Sequence, residues 1–221
     1  GDGRLDLAQF VSGSWAFILS STGYTQVASY GSLALMTDTF VIGDYDGDRK
    51  ADMMTFRSTE GRWSFMSSVS GFAQSVPLDW GLPGDAAVPT DYDGDGRWDL
   101  AVFRPESGRW FVKRSSDGSM LTVDWGLATD VPVPADYDGD GRADVAIFRP
   151  STGEWWIRYS STDFTTYSTT MYGVSGDIPL PGDFDADGRA EPACWRQGAG
   201  GGLFVLGRGR LGGGGEPLLE R

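Results

Sequence analysis

DYDGDGRAD at residues 136–144 recurs as DYDGDGRWD at 91–99, DYDGDRKAD at 44–52 and DFDADGRAE at 183–191. The starts lie 47, 45 and 47 residues apart, and the opening GDGRLD fits the same motif with its first positions missing, Asp2 matching Asp48 and Asp6 matching Asp52. Periods of this size are the signature of a repeat architecture in which each unit buries its apolar face against its neighbour. The units read as 1–43, 44–90, 91–135, 136–182 and 183–221, the last incomplete and carrying a Gly-rich tail over 197–221.

Similarity extends outward from the acidic stretch. After it come an apolar run, an aromatic residue and Arg, then Gly-x-Trp, as in LAVFRPESGRWFV (100–112) and VAIFRPSTGEWWI (145–157). Later in each unit stands Tyr-Gly or Trp-Gly (Tyr30, Trp80, Trp125, Tyr172), then an Asp (Asp38, Asp85, Asp130, Asp177). Short runs rich in Val, Ile, Phe, Trp, Tyr and Thr, bounded by Gly, Pro, Asp and Ser, are strand signals. The Pro residues ahead of the loops (Pro89, Pro132, Pro134, Pro179, Pro181) exclude helix there. One unit is expected to hold four strands, at 131–136, 142–149, 154–160 and 164–172. Four strands in about 47 residues is the arithmetic of a propeller blade. The fold class expected is therefore all-β, a β-propeller of four-stranded blades with the acidic loops in blade hairpins, as an incomplete ring or a fragment of a longer propeller. A solenoid is the competing architecture, but β-helix repeats are much shorter.

The formal net charge is −13, from 31 acidic and 18 basic residues with no His. Eighteen of those acids sit in the five loops, and the rest of the chain is about +5, so the negative balance belongs to the loops. Alternating Asp at loop positions 1, 3 and 5 lets a tightly curled backbone aim three carboxylates at one centre, and Gly at position 6 permits the positive φ that the curl needs. Hard oxygen donors at this charge density suit Ca²⁺. Mg²⁺ fits less well because it demands strict octahedral geometry, and soft metals lack His and have only Cys194. An acid at position 9 closes the set, and a basic residue at position 7 offers its backbone carbonyl. The candidate ligands are Asp44, Asp46, Asp48, Lys50 and Asp52; Asp91, Asp93, Asp95, Arg97 and Asp99; Asp136, Asp138, Asp140, Arg142 and Asp144; and Asp183, Asp185, Asp187, Arg189 and Glu191. The loops at 91 and 136 match fully. At 44, Arg49 stands where Gly is preferred; at 183, Ala186 and Glu191 depart from the pattern; the first loop, with Asp2, Arg4 and Asp6, is incomplete. An Asp-rich surface turn is the alternative, and it explains the spacing poorly.

These residues, DxDGDGxxD every 45 to 47 positions with an apolar-Phe-Arg segment after it, resemble the FG-GAP or VCBS-type repeats of integrin α-chain propellers and many secreted bacterial proteins. The resemblance covers nearly the whole chain. It implies a seven-bladed propeller with Ca²⁺ in a hairpin between the first and second strands of several blades, acting in adhesion, in glycan recognition or as an accessory domain of a secreted enzyme. The chain departs from it in holding about 18 expected strands, too few for seven blades, and in its Gly-rich tail.

Trp63, Trp110 and Trp155, with Trp15 as an earlier equivalent, are read as packing between blades, a sugar-stacking ring being the alternative. Trp80 and Trp125 in the turns are more open to a ligand, but turn packing is the leading reading for them too. Arg57, Arg104, Arg149 and Arg196 recur at one position, either as an anion-binding ring or in structural pairs with Asp38, Asp85, Asp130 and Asp177. Catalysis has little to draw on: no His, a lone Cys on an expected buried strand and acids better used as metal ligands. The function expected is an extracellular, non-catalytic calcium-binding module for a protein or glycan at the cell surface or matrix, with no nucleic acid partner and no membrane span. A propeller appendage of a secreted hydrolase and a glycan-binding lectin are the alternatives.

Overall fold

The computed structural model describes residues 7–11, 14–18, 27–30, 38–70, 77–197 and 203–205. The incomplete first loop, the side chain of Trp15 and, apart from 197 and 203–205, the Gly-rich tail lie outside the described residues. Strands run in chain order as β1 (Leu7–Val11), β2 (Ser14–Ile18), β3 (Val27–Tyr30), β4 (Thr39–Gly43), β5 (Asp52–Arg57), β6 (Arg62–Met66), β7 (Leu78–Asp79), β8 (Ala86–Ala87), β9 (Leu100–Arg104), β10 (Arg109–Lys113), β11 (Met120–Asp124), β12 (Val131–Pro132), β13 (Val145–Arg149), β14 (Glu154–Arg158), β15 (Tyr167–Met171), β16 (Ile178–Pro179), β17 (Cys194–Gln197) and β18 (Leu203–Val205). One 3₁₀ turn, Ser160–Thr162, interrupts the pattern among the described residues. The chain is all-β, in antiparallel sheets that follow the repeat.

Two compact units form, Gly1–Ala87 with Gly96–Trp98, and Val88–Asp95 with Asp99–Arg221. The first holds the sheets β1-β2-β3 and β4-β5-β6-β7; the second holds three strands, in the order β11-β10-β9, of a four-stranded sheet, and the sheets β12-β13-β14-β15 and β16-β17-β18. Every neighbour is next in sequence, which is the up-and-down order of a blade. The register repeats as well: Phe56 faces Trp63, Phe103 faces Trp110, and Phe148 faces Trp155. Alternation turns these aromatic residues to the covered face, and all six are essentially without solvent exposure.

Gly-x-Trp and Trp-Gly, read as separate motifs, form a single clasp. In the third repeat, Trp125 N donates to Gly108 O at 2.8 Å while Trp110 Nε1 donates to Trp125 O at 2.8 Å. The same pair of bonds joins Trp80, Gly61 and Trp63, and again Tyr172, Gly153 and Trp155. Glycine is required at the clasp, since a Cβ on Gly153 (φ +73°) would lie 2.2 Å from Gly173 O. The buried Trp ring is thus a packing element with its one donor satisfied.

Recurrent arginines pair structurally. Arg57 holds Asp38, Arg149 holds Asp130, and Arg196 holds Asp177, each through two nitrogens on two oxygens. Asp130 also accepts the amide of Leu127, and Asp177 that of Val174, so each acid ties its own turn to the next strand pair. The expected strand at 131–136 is reduced to β12 plus an isolated bridge between Ala135 and Asp144, because Pro132 and Pro134 have no amide to donate. β14 stops at Arg158, two residues early, where the chain turns into the 3₁₀ segment and toward the loop at 136–144.

Candidate metal centre

Each described acidic loop joins the first strand or bridge of a sheet to its second strand. Its curl is built from backbone amides donating to the loop's own carboxylates. Asp136 Oδ1 accepts from Gly139 N and Asp140 N while its Oδ2 accepts from Gly141 N. Asp44 accepts from Gly47 and Arg49, and Asp183 from Asp187 and Gly188, in the same way. Positions 4 and 6 both take positive φ: Gly139 at 78° and Gly141 at 85°, with Arg49 at 64° and Ala186 at 59° in the two divergent loops. The left-handed demand at position 4 adds to the one expected at position 6.

Position 9 is anchored from two sides. Tyr137 N donates to Asp144 Oδ2 at 2.9 Å and Ser160 N to Oδ1 at 2.7 Å; Asp99 has the same partners in Tyr92 N and Ser115 N, and Asp52 in Tyr45 N and Ser68 N. All three carboxylates are fully buried. On Asp144 both Ser160 N and Ser160 Oγ donate to Oδ1, while Oδ2 accepts from Tyr137 N and keeps a second lone-pair site for a cation.

The loops bring together Asp91, Asp93 and Asp99; Asp136, Asp138 and Asp144; Asp44, Asp46 and Asp48; and Asp183, Asp185, Asp187 and Glu191. In each set one carboxylate oxygen per residue lies within 4.8 Å of the others. The loop at 183, which departs most from the pattern, gathers the fullest set, because the longer Glu191 reaches in. Asp52, Asp95 and Asp140 stand outside these groups: Asp95 accepts from Ser115 Oγ, and Asp140 from Arg142 and Ser160. Of the position-7 residues, Lys50 bends back onto Asp48 and Arg142 onto Asp140. Arg189 lays its stem across the preceding loop, 3.0 Å from where a Cβ on Gly139 would stand.

Electrostatics and an orphaned atom both fit a bound cation. Burial, with Asp138 alongside, raises the Asp144 carboxyl to about 6. Burial, aided by Asp93, raises Asp99, and burial, aided by Asp185, Asp187 and Asp183, raises Glu191. Asp138 Oδ1 is buried and has no hydrogen-bond partner. An unpaired buried carboxylate oxygen amid other acids is costly unless a positive charge meets it, so these residues suit a hard cation held by oxygen.

Sequence reasoning passed over a second layer. Ser161 Oγ donates to Asp138, and Ser160 Oγ to Asp140 and Asp144. Ser116 and Ser115 do the same for Asp93 and Asp95, and Ser67 and Ser68 for Asp46 and Asp48. The signal was present as Ser-Ser at 67–68, 115–116 and 160–161, but it lies 16 or more residues from the acids it serves. Within the second unit the loops are also stitched through backbone: Ala143 N donates to Asp91 O and Ala190 N to Asp136 O.

Residues 91–147 and 136–191 each match the family described as FG-GAP-like repeat. No curated protein sequence matches the chain. Among solved structures, the fold is similar to that of an Agrocybe aegerita lectin whose structure concerns specific recognition of non-reducing terminal N-acetylglucosamine. That likeness has a TM-score of 0.59 and 16% identity over 93% of this chain and 60% of the lectin chain. A streptogramin B lyase is similar at TM-score 0.54 and 9% identity, over 90% of this chain and 63% of the lyase chain. Both are β-propeller-like, and this chain spans less than two thirds of either. At these identities the likeness is one of fold.

Proposed function

We propose that this chain, an FG-GAP-type repeat protein with a propeller-like fold, is an extracellular, non-catalytic module that binds a protein or glycan ligand and uses Ca²⁺ to rigidify its loops. The observation that carries the reading is the group Asp136, Asp138 and Asp144, with its partnerless buried oxygen on Asp138; the same three positions gather in the loop at 91–99, and other sets of acids gather in the loops at 44–52 and 183–191. Three or four carboxylates in a curled, partly exposed loop suit the flexible oxygen coordination of Ca²⁺ better than the strict octahedron of Mg²⁺. The metal's part is structural: it neutralises acids that otherwise repel one another and holds each hairpin in one shape. The lectin-like neighbour supports a binding role for the assembled module.

Terbium luminescence sensitised by the nearby aromatic residues tests this. Tb³⁺ is expected to bind and to be displaced by Ca²⁺ but not by equimolar Mg²⁺, and Asp136→Asn/Asp138→Asn is expected to remove part of the signal. Luminescence unaffected by Ca²⁺, or equal in the double variant, contradicts the reading.

A further inference from the structure

One interface within the second unit breaks the repeat. Register places Leu121 and Val123 of β11 opposite Val112 and Trp110, and places Ser168 and Thr170 of β15 opposite Ile157 and Trp155. The positions are equivalent, since Trp110 and Trp155 are the same residue of the repeat. In the earlier sheet this wall is apolar: Val123 is buried, Leu121 packs against the core, and Phe164 joins the same cluster. One repeat later, two hydroxyls replace two aliphatic side chains.

Those hydroxyls line a cavity of about 700 Å³ bounded by β14, β15 and the loop at 183–191. Its walls include Tyr159 and Tyr172, and its far side is formed by Asp187, Arg189 and Glu191. Tyr159 Oη and Ser168 Oγ lie 2.6 Å apart, a hydroxyl pair able to donate and accept at the cavity surface. The volume is that of a small-molecule pocket.

We infer that this cavity is a binding site for an uncharged pyranose saccharide. Tyr159 and Tyr172 give the walls aromatic surface of the kind that packs on the C–H groups of a sugar ring, while the hydroxyls of Ser168, Thr170 and Tyr159 match those of the sugar. The carboxylates of the 183–191 loop disfavour an anionic ligand, and the hydroxylated β15 disfavours a purely apolar one. Because that loop forms one wall, the site deepens the calcium reading above and rests on it: bound Ca²⁺ fixes the wall, so saccharide affinity rises with Ca²⁺.

Saturation-transfer NMR and calorimetry with neutral hexoses, N-acetylhexosamines and their disaccharides test the inference, with Ca²⁺ and with chelator. At least one sugar is expected to bind wild type in Ca²⁺ with a dissociation constant of about 1 mM or tighter. Ser168→Leu/Thr170→Val, which installs the side chains the preceding repeat already packs, is expected to weaken it at least tenfold while calcium binding and the melting temperature are unchanged. Absence of binding by every neutral sugar, or equal binding by the double variant, overturns the site. Calcium titration of the same samples reads the other proposal separately: sugar binding without calcium binding keeps the pocket and removes its calcium dependence.

Discussion

Asp144 is the point where a proton and a cation compete. Its carboxyl stands at about 6 in the folded chain against 3.8 in the unfolded one. Between those values the native state binds more protons than the unfolded state, so without metal this residue's contribution to stability is present below pH 4 and lost as pH rises to 6. With Ca²⁺ the dependence reverses, because protonation must be undone before the metal binds. Melting curves from pH 4 to 7 in chelator and in Ca²⁺ are expected to slope in opposite directions, and parallel slopes would contradict the assignment. Arg49 supplies a second test at this scale. It holds φ at 64° where the other described loops have glycine, so Arg49→Gly is expected to stabilise the protein by about 1 kcal/mol in denaturant unfolding. The strain at Arg49 was legible because position 6 is otherwise glycine. Ala186 carries the same strain at position 4, where the sequence reading had assigned no left-handed demand.

At the scale of elements, the pairing of Arg149 with Asp130 joins β13 to the turn before β12, and Asp130 is shielded from solvent while Arg149 keeps a fifth of its side chain exposed. Asp130→Ala is expected to cost about 2 kcal/mol in denaturant unfolding, less than a fully buried pair because Arg149 regains water. The exposed pair of Arg109 and Asp124 spans neighbouring strands in the open, and Asp124→Asn is expected to leave the melting temperature unchanged. Strand positions were readable from alternation and punctuation, and structural pairing of the arginines was one of two readings the repeat allowed. The serine layer was not readable, since nothing in the order of residues says that Ser161 meets Asp138; that contact exists only once β13 and β14 pair. Ser161→Ala removes one hydrogen bond to a charged ligand. It is expected to weaken calcium binding about tenfold, read by titration, with the fold retained in circular dichroism.

For the whole molecule, repeat period and strand count led to the propeller-like build, because the repeats at 44–90, 91–135 and 136–182 share the same Trp clasp and hairpin. The cavity beside β15 escaped the same reasoning: Ser168 and Thr170 look ordinary in the sequence and stand out only when register sets them against Leu121 and Val123. The carboxylate sets recur from loop to loop, and two backbone bonds stitch the loops of the second unit together, so metal binding is expected to act on stability globally. A ligand that binds only the native state at a hundred times its dissociation constant adds about 2.7 kcal/mol per site. The most direct test is calorimetric Ca²⁺ titration of the chelator-stripped protein with the melting temperature followed in parallel. Binding at two to four sites with a rising melting temperature is the result predicted; no heat and unchanged stability in a folded protein would contradict the central claim that these loops are calcium sites.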